Sequence, residues 1–302
     1  MIWGSERWDI TCRPNEMGII ENGYLAGETF DEYFAKSPVA VLGKRFANSK
    51  RFPLLIKIID AKDTLSVQVH PDDVYAMSKG ETDSGKSEMW YILNPPDDGH
   101  LIVGLKSGVT HEILAEAYRN GTVEDCLNRL HVKAGDIVNI PAGLVHALTP
   151  GVVVAEIQQN SDITYRLHDY NRLSSNGQPR QLHVADALCV IDFDERIPKT
   201  IVPSQGISGT KEGTNELILV ISTEYFTVHK YVIIEPLIQV SNPDAFAVFT
   251  CIENEAIIET DTTTVEISKQ RSVFIPATLG EYIIRPKGES VVLLKSEPMA
   301  LL

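Results

Sequence analysis

The segment Gly135-Asp136-Ile137-Val138-Asn139-Ile140-Pro141-Ala142-Gly143-Leu144-Val145-His146 reads as a strand followed by its terminator. Asp136 to Ile140 is rich in β-branched apolar residues, and Pro141 has no N–H to give to a ladder, so the strand stops there. The Pro-Ala-Gly turn that follows aims His146 back toward the strands the chain has just left. A histidine so placed is either a ligand or a satisfied core residue. In the C-terminal half, Val273-Phe274-Ile275-Pro276-Ala277-Thr278-Leu279-Gly280-Glu281 repeats the Ile-Pro-Ala turn, with Glu281 in the place of His146. The echo points to a second unit that kept the fold and lost the metal.

Working outward, Leu65-Ser66-Val67-Gln68-Val69-His70 alternates with a period of two before Pro71 ends it. Leu65, Val67 and Val69 should share one face, and Ser66, Gln68 and His70 the other. Gln68 and His70 then stand roughly 6.6 Å apart along the strand, close enough to converge on one ion. Taken alone, the hexapeptide is equally an ordinary half-exposed strand. Lys86-Ser87-Glu88-Met89-Trp90-Tyr91-Ile92-Leu93 is strand-like too, with Lys86 and Glu88 on one face. Phe52 to Asp60 is a buried apolar run whose odd member, Lys57, either snorkels to a rim or faces a polar pocket.

Helices are few. Thr29-Phe30-Asp31-Glu32 forms a capping box before a short helix that ends near Ser37-Pro38. Asp72 to Lys79 reads as a helix closed by Gly80, Thr110 caps one through Asn120, and Thr122 caps another through Leu130. Strands are expected over 152–158, 217–222, 226–235, 245–251 and 290–295, so the class is mostly β. From Asp192 to Glu216 prolines and glycines replace apolar pairs, which sets the expected domains at 1–195 and 217–302 with a linker at 196–216.

A length of 302 residues suits two cores, and 43% hydrophobic with 23% charged residues is ordinary for a globular protein. The formal net charge of −14 argues against general affinity for nucleic acid or anionic membrane, so an anionic ligand needs a local basic pocket. The first residues lack the apolar core of a secretion signal and the apolar runs are too short to span a bilayer, which makes a cytoplasmic protein the expectation. Cys12, Cys126, Cys189 and Cys251 are scattered and read as reduced structural thiols.

The stretch from Gly135 to His146 fits G-x5-P-x-G-x2-H, the second motif of the cupins, and this resemblance implies jelly-roll barrels with His146 turned into a barrel mouth. The first cupin motif is altered, since Gln68-Val69-His70 stands where His-x-His is usual and the acidic residue comes late, at Glu88. Gln-x-His-Pro-Asp, then Lys-x-Glu, then Pro-Ala-Gly-x-x-His-Ala-Leu, then Glu-Ile-x-x-Asn-Ser-Asp before an arginine resembles the class I mannose-6-phosphate isomerases, from Trp3 to about Arg172. The implied fold is two cupin-like barrels with a few short helices, the N-terminal barrel alone carrying metal. The implied metal ligands are Gln68, His70, Glu88 and His146, holding one Zn²⁺ per chain. By the same match Arg166, Glu156 and Lys86 fall on catalytic positions, and Lys57, Ser66 and Arg172 on positions that bind the substrate. A phosphate pocket would give Lys57 its polar destination. Longer members carry a helical insertion before the Pro-Ala-Gly turn; two short helices fill that interval here, as in the shorter bacterial form.

Two imidazoles, a carboxylate and an amide oxygen suit Zn²⁺ and leave room on the ion for substrate oxygen. The implied reaction interconverts mannose 6-phosphate and fructose 6-phosphate by proton transfer through an enediol. Glu156 or a metal-bound water would move the proton, and both remain open. The expected partner is the small-molecule sugar phosphate, without nucleic acid or membrane, for a monomer or homodimer. Two other readings fit less well: an Fe²⁺ cupin oxygenase, against which the amide ligand and basic residues speak, and a non-catalytic sugar-phosphate sensor, against which Glu156, Lys86 and Arg166 speak.

Overall fold

A computed structural model describes residues 1–49, 51–174, 177–194, 201–202 and 207–299. The expected linker at 196–216 lies in part outside them; of the remainder, Ser208–Glu212 is an exposed strand paired with Asn215–Ser222. The chain divides into two compact units, Met1–Arg7 with Ile58–Ile201 and Trp8–Lys57 with Val202–Leu302. Strands dominate and helices are short, as the composition of the segments led us to expect. Among the described residues no helix is long and apolar enough to cross a membrane.

The first unit is built on two sheets. One runs in the order Gly4–Ile10, Leu54–Ala61, Val153–Gln159, Glu88–Asn94, Ile137–Ile140, Ile201–Val202. The other runs Tyr165–His168, Val67–Val69, His146–Ala147, His100–Leu105, Leu127–His131. Trp90, Ile92, Val138, Ile140 and Val154 of the first meet Leu101 and Val103 of the second in a shared core, so the two sheets face each other. The outer face of the second sheet is closed by helices: Val67, Val69, Ile102 and Leu105 pack with Leu114 and Ala117 of the His111–Asn120 helix and Ala187 of the Val184–Val190 helix.

That division of faces is what positions the site. With Val67 and Val69 turned outward to the helices, Gln68 between them must point inward. Leu65 departs from the expected alternation. The strand begins only at Val67, and Leu65 sits ahead of it in the core between the sheets, its N–H donating to the Leu148 carbonyl at 2.9 Å. The expected Thr122–Leu130 helix is also corrected. Gly121, at φ 72°, ends the preceding helix, Val123–Cys126 makes a single 3₁₀ turn, and Leu127–His131 is a strand on His100–Leu105. Leu130 packs against the core between the sheets while its neighbours Arg129 and His131 are exposed, and this sheet pairing outweighs the weak helical propensity of the run. The short helix at Val184–Val190 carried no capping signal that we read from sequence.

The second unit likewise places a core between two sheets, with Tyr231, Phe249 and Leu293 of one against Ile258, Tyr282 and Ile284 of the other. Phe30 stacks edge-on to Phe52 and Phe274, at 5.0 and 4.9 Å between ring centroids, which ties the early helices into this unit. The echoed turn has a structural use: Ala277 and Thr278 donate their backbone N–H groups to Val41 and Ala40, at 3.1 Å each. Glu281, which stands in place of His146, is exposed.

Candidate active site

Three neighbouring strands bring Arg166, Gln68 and His146 into one row, since Arg166 and His146 are the register partners of Gln68 on either side. On the facing sheet Glu88 pairs across from Gln158, and Trp90 across from Glu156. Alternation puts Glu88 and Trp90 on the same inward face, and Glu156 and Gln158 likewise. His70 follows the Val67–Val69 strand and is pinned by the Pro-Ala-Gly turn, whose Gly143 N–H donates to the His70 carbonyl at 2.9 Å.

Ligand atoms of His70, Glu88 and His146 lie within 4.8 Å of one another, and all three side chains are about 1% exposed. The hydrogen-bond logic of the two imidazoles is the same. His70 Nδ1 is 2.7 Å from the Ile163 carbonyl and His146 Nδ1 is 2.8 Å from the Leu144 carbonyl. A carbonyl only accepts, so each Nδ1 carries the proton and each Nε2 presents a bare lone pair. Burial, helped by the charge of Lys86, lowers the His70 imidazole to about 3, and burial lowers His146 as well, so neither adds a second proton near neutral pH.

His70 Nε2 therefore meets Glu88 Oε1 at 3.0 Å as acceptor against acceptor, and His70 Nε2 has no hydrogen-bond donor. His146 Nε2 stands 4.0 Å from Glu88 Oε2. Lys86 Nζ lies 2.8 Å from Glu88 Oε1 as an ion pair. Burial alone would raise the Glu88 carboxyl, but Lys86 and the histidines outweigh it and hold the group well below its usual value. Lys86 is the converse case: burial would lower it, yet Glu88 and Glu156 keep it raised and charged. Buried lone pairs and a carboxylate oxygen that face one another without a proton between them fit a cation.

Gln68 closes the set. Its Nε2 is 3.3 Å from His146 Nε2, and its Oε1 accepts from Ser66 Oγ at 3.3 Å; a half-turn of the amide exchanges the two ends and offers oxygen to the same centre. Arg166 Nε donates to Ser66 Oγ at 3.2 Å and Nη1 to the Gln181 carbonyl at 2.8 Å, which anchors the guanidinium beside Gln68. Ser66, Gln68, His70, Lys86, Glu88, His146, Glu156 and Arg166 are thus linked through direct contacts or through Trp90. Arg172 is engaged elsewhere, donating to Asp63 Oδ2, the Thr64 carbonyl and Asp169 Oδ1. Lys57, on the Leu54–Ala61 strand, holds its ammonium over the Trp8 ring at 4.7 Å.

Three participants escaped the sequence reading. Trp90 Nε1 donates to both carboxylates, at 3.1 Å to Glu88 Oε2 and 2.9 Å to Glu156 Oε2. It is the next inward position after Lys86 and Glu88, so alternation alone could have found it. His183 Nδ1 accepts from the Arg166 N–H at 3.2 Å, while its own N–H donates to the Arg166 carbonyl at 2.8 Å. Arg180 grips Asp169 through Nε and Nη2, at 2.7 and 2.5 Å. Arg180 and His183 both lie outside the strands and helices, where sequence offers no periodic signal.

Facing sheets with a buried His, Glu, His and Gln set between them define a cupin-like protein with a candidate metal centre. Comparison with known proteins narrows the class. The family model for the phosphomannose isomerase type I catalytic domain matches residues 4–96, and that for the mannose-6-phosphate isomerase cupin domain matches residues 215–294. The probable mannose-6-phosphate isomerase GmuF of Bacillus subtilis is 40% identical over 227 residues, 75% of this chain and 69% of that protein. The mannose-6-phosphate isomerase ManA of the same organism is 32% identical over 287 residues, 95% and 88% of the two chains. A solved structure of mannose 6-phosphate isomerase from Bacillus subtilis superimposes with a TM-score of 0.85 at 31% identity, covering 97% of this chain and 89% of that one. The chain belongs to the class I mannose-6-phosphate isomerases of the cupin superfamily, and is an isomerase.

Proposed function

We propose that this chain interconverts mannose 6-phosphate and fructose 6-phosphate, with Gln68, His70, Glu88 and His146 holding one Zn²⁺ and a proton passing between C2 and C1 through an enediol. The observation that carries the metal is the opposition of His70 Nε2 and Glu88 Oε1 at 3.0 Å, two acceptors in a buried place with no proton to share. When bound, the ion supplies positive charge where oxygen charge develops on the sugar.

The residues divide the remaining work. Glu156 holds the proton in transit, and Trp90 and Lys86 steady the paired carboxylates around it. Arg166 offers planar donors to the substrate oxygens from a guanidinium already fixed by Ser66 and Gln181. Arg172 and Arg180 both bind Asp169, Arg172 also meets Asp63, and Arg166 lies within their field, so three guanidiniums stand near two carboxylates and the remaining positive charge suits a phosphate despite the acidic chain as a whole. Lys57 enters on its motif match alone. We take residues 1–195 to carry this chemistry in a cupin-like barrel and residues 217–302 to form a second barrel without metal.

The test is fructose 6-phosphate formation from mannose 6-phosphate by purified protein, before chelation, after chelation and after Zn²⁺ is restored. Activity that disappears and returns is the expected result. A folded, metal-loaded protein with no activity overturns the proposal and favours a non-catalytic sugar-phosphate binder.

A further inference from the structure

We propose that Trp90 is a positioning residue for the proton transfer, acting through Glu156; the inference rests on the reading of Glu156 given above. One indole N–H is shared between Glu88 Oε2 at 3.1 Å and Glu156 Oε2 at 2.9 Å, in a side chain only 1% exposed. Two buried carboxylates repel each other; the Lys86 ammonium at Glu88 Oε1 offsets that charge, and the indole N–H shared between the two fixes how they point. The Trp90 N–H donates a hydrogen bond but is far too weak an acid to give the proton away, so it orients both carboxylates and does not compete for the proton that Glu156 moves.

The indole is itself held firmly. Trp90 lies opposite Glu156 in the sheet register, packs edge-on to His146 at 5.4 Å between centroids, and belongs to the core between the sheets. The donor is therefore preorganised, and the terminal torsion of Glu156, otherwise broad, is set by it. The same bond gives Trp90 a grip on Glu88, so metal affinity is a separate readout that must be saturated before rates are compared.

A double-mutant cycle tests the idea: wild type, Trp90→Phe, Glu156→Gln and the double variant, each loaded with zinc to saturation. The assays use enzyme concentrations high enough to read a rate lowered by about 10⁴. Trp90→Phe keeps an apolar ring and drops the donor. The expected result is a kcat lower by roughly thirty- to a hundredfold, with KM changed by less than about threefold, and no further loss when the same change is made on Glu156→Gln. A merely structural tryptophan would impose its full loss on both backgrounds, and that result overturns the inference. So does a Trp90→Phe enzyme with wild-type kcat beside an impaired Glu156→Gln enzyme. Glu156→Gln with wild-type kcat removes the reading of Glu156 and the inference with it. If Trp90→Phe does not fold, 3-benzothienylalanine at position 90, which keeps the two-ring shape and lacks the N–H, takes its place in the cycle.

Discussion

The backbone N–H of Gly143 donates to the backbone carbonyl of His70 at 2.9 Å. That single bond joins the two stretches of sequence that carry the histidines. His70 leaves its strand at Pro71, and His146 is delivered by the Pro141-Ala142-Gly143 turn, so the bond fixes one imidazole relative to the other. Gly143 has φ 87°, and a Cβ there would come within 3.1 Å of the Val190 carbonyl oxygen.

Gly143→Ala is therefore strained in its backbone and crowded at its new carbon. We expect it to lower unfolding stability by about 1–3 kcal/mol and to weaken zinc binding, because the turn that links the two histidines must shift. Urea denaturation with and without zinc, alongside metal content per chain, measures both effects. Wild-type stability and stoichiometry would show that the turn tolerates a side chain and that the His70 contact is incidental.

Zinc should stabilise the fold as well as support the reaction. The opposed lone pairs of His70 and Glu88 cost free energy as they stand, and a cation between them reverses the sign of that contact. At about a hundred times its dissociation constant, zinc is expected to add about 2.7 kcal/mol to the unfolding free energy, and chelation to remove it. Thermal melts across a zinc titration read the shift. A melting temperature indifferent to zinc would mean that these residues do not hold it.

How much of this was legible in the sequence follows from the physics of each element. Period-two alternation placed Gln68 inward and Lys86 beside Glu88, because a strand with one buried face leaves its side chains little choice. Applied one step further, it reaches Trp90. Proline and glycine gave the Pro-Ala-Gly turn for the same local reason. Leu65 misled because alternation says nothing about where a strand begins. The Thr122–Leu130 run misled because a threonine cap and helix formers are outweighed by pairing with His100–Leu105, a partner distant in sequence. Arg180 and His183 were invisible for a related reason: each lies outside any periodic element and acts on a partner distant in sequence, Asp169 in one case and the Arg166 backbone in the other.

Asp169 gives a dependence on pH with a definite sign. Burial pushes its carboxyl up, but Arg180 and Arg172 outweigh burial and the folded chain holds it below its usual value. A carboxyl lowered by folding contributes stability above its unfolded value of about 3.9 and loses it as pH falls through the lower, folded value. Asp169→Asn should thus cost about 1–3 kcal/mol at neutral pH, with the difference from wild type shrinking below about pH 4. Denaturant melts of both proteins from pH 7 to pH 3 measure it. A difference that stays constant with pH would mean that the arginines do not stabilise the charged form.

Arg180 tests the proposed phosphate site separately from the chemistry. It meets Asp169 at 2.7 and 2.5 Å and lies in the same charged group as Arg166 and Arg172, whereas Glu88 and Glu156 are bridged by Trp90. Replacing it with glutamine removes one of the two guanidiniums bound to Asp169. If the surplus charge binds the phosphate equally in ground state and transition state, KM rises while kcat is kept. Arg180→Gln is expected to raise KM for mannose 6-phosphate by about tenfold, equivalent to about 1.4 kcal/mol of binding, with kcat within about twofold. The KM increase should diminish at high ionic strength, where screening weakens the wild-type enzyme's own hold on the phosphate. Steady-state kinetics at low and high salt decide the matter. A fall in kcat at unchanged KM would place Arg180 in the support of the catalytic groups, and an unchanged KM and kcat would take the three-arginine group out of substrate binding.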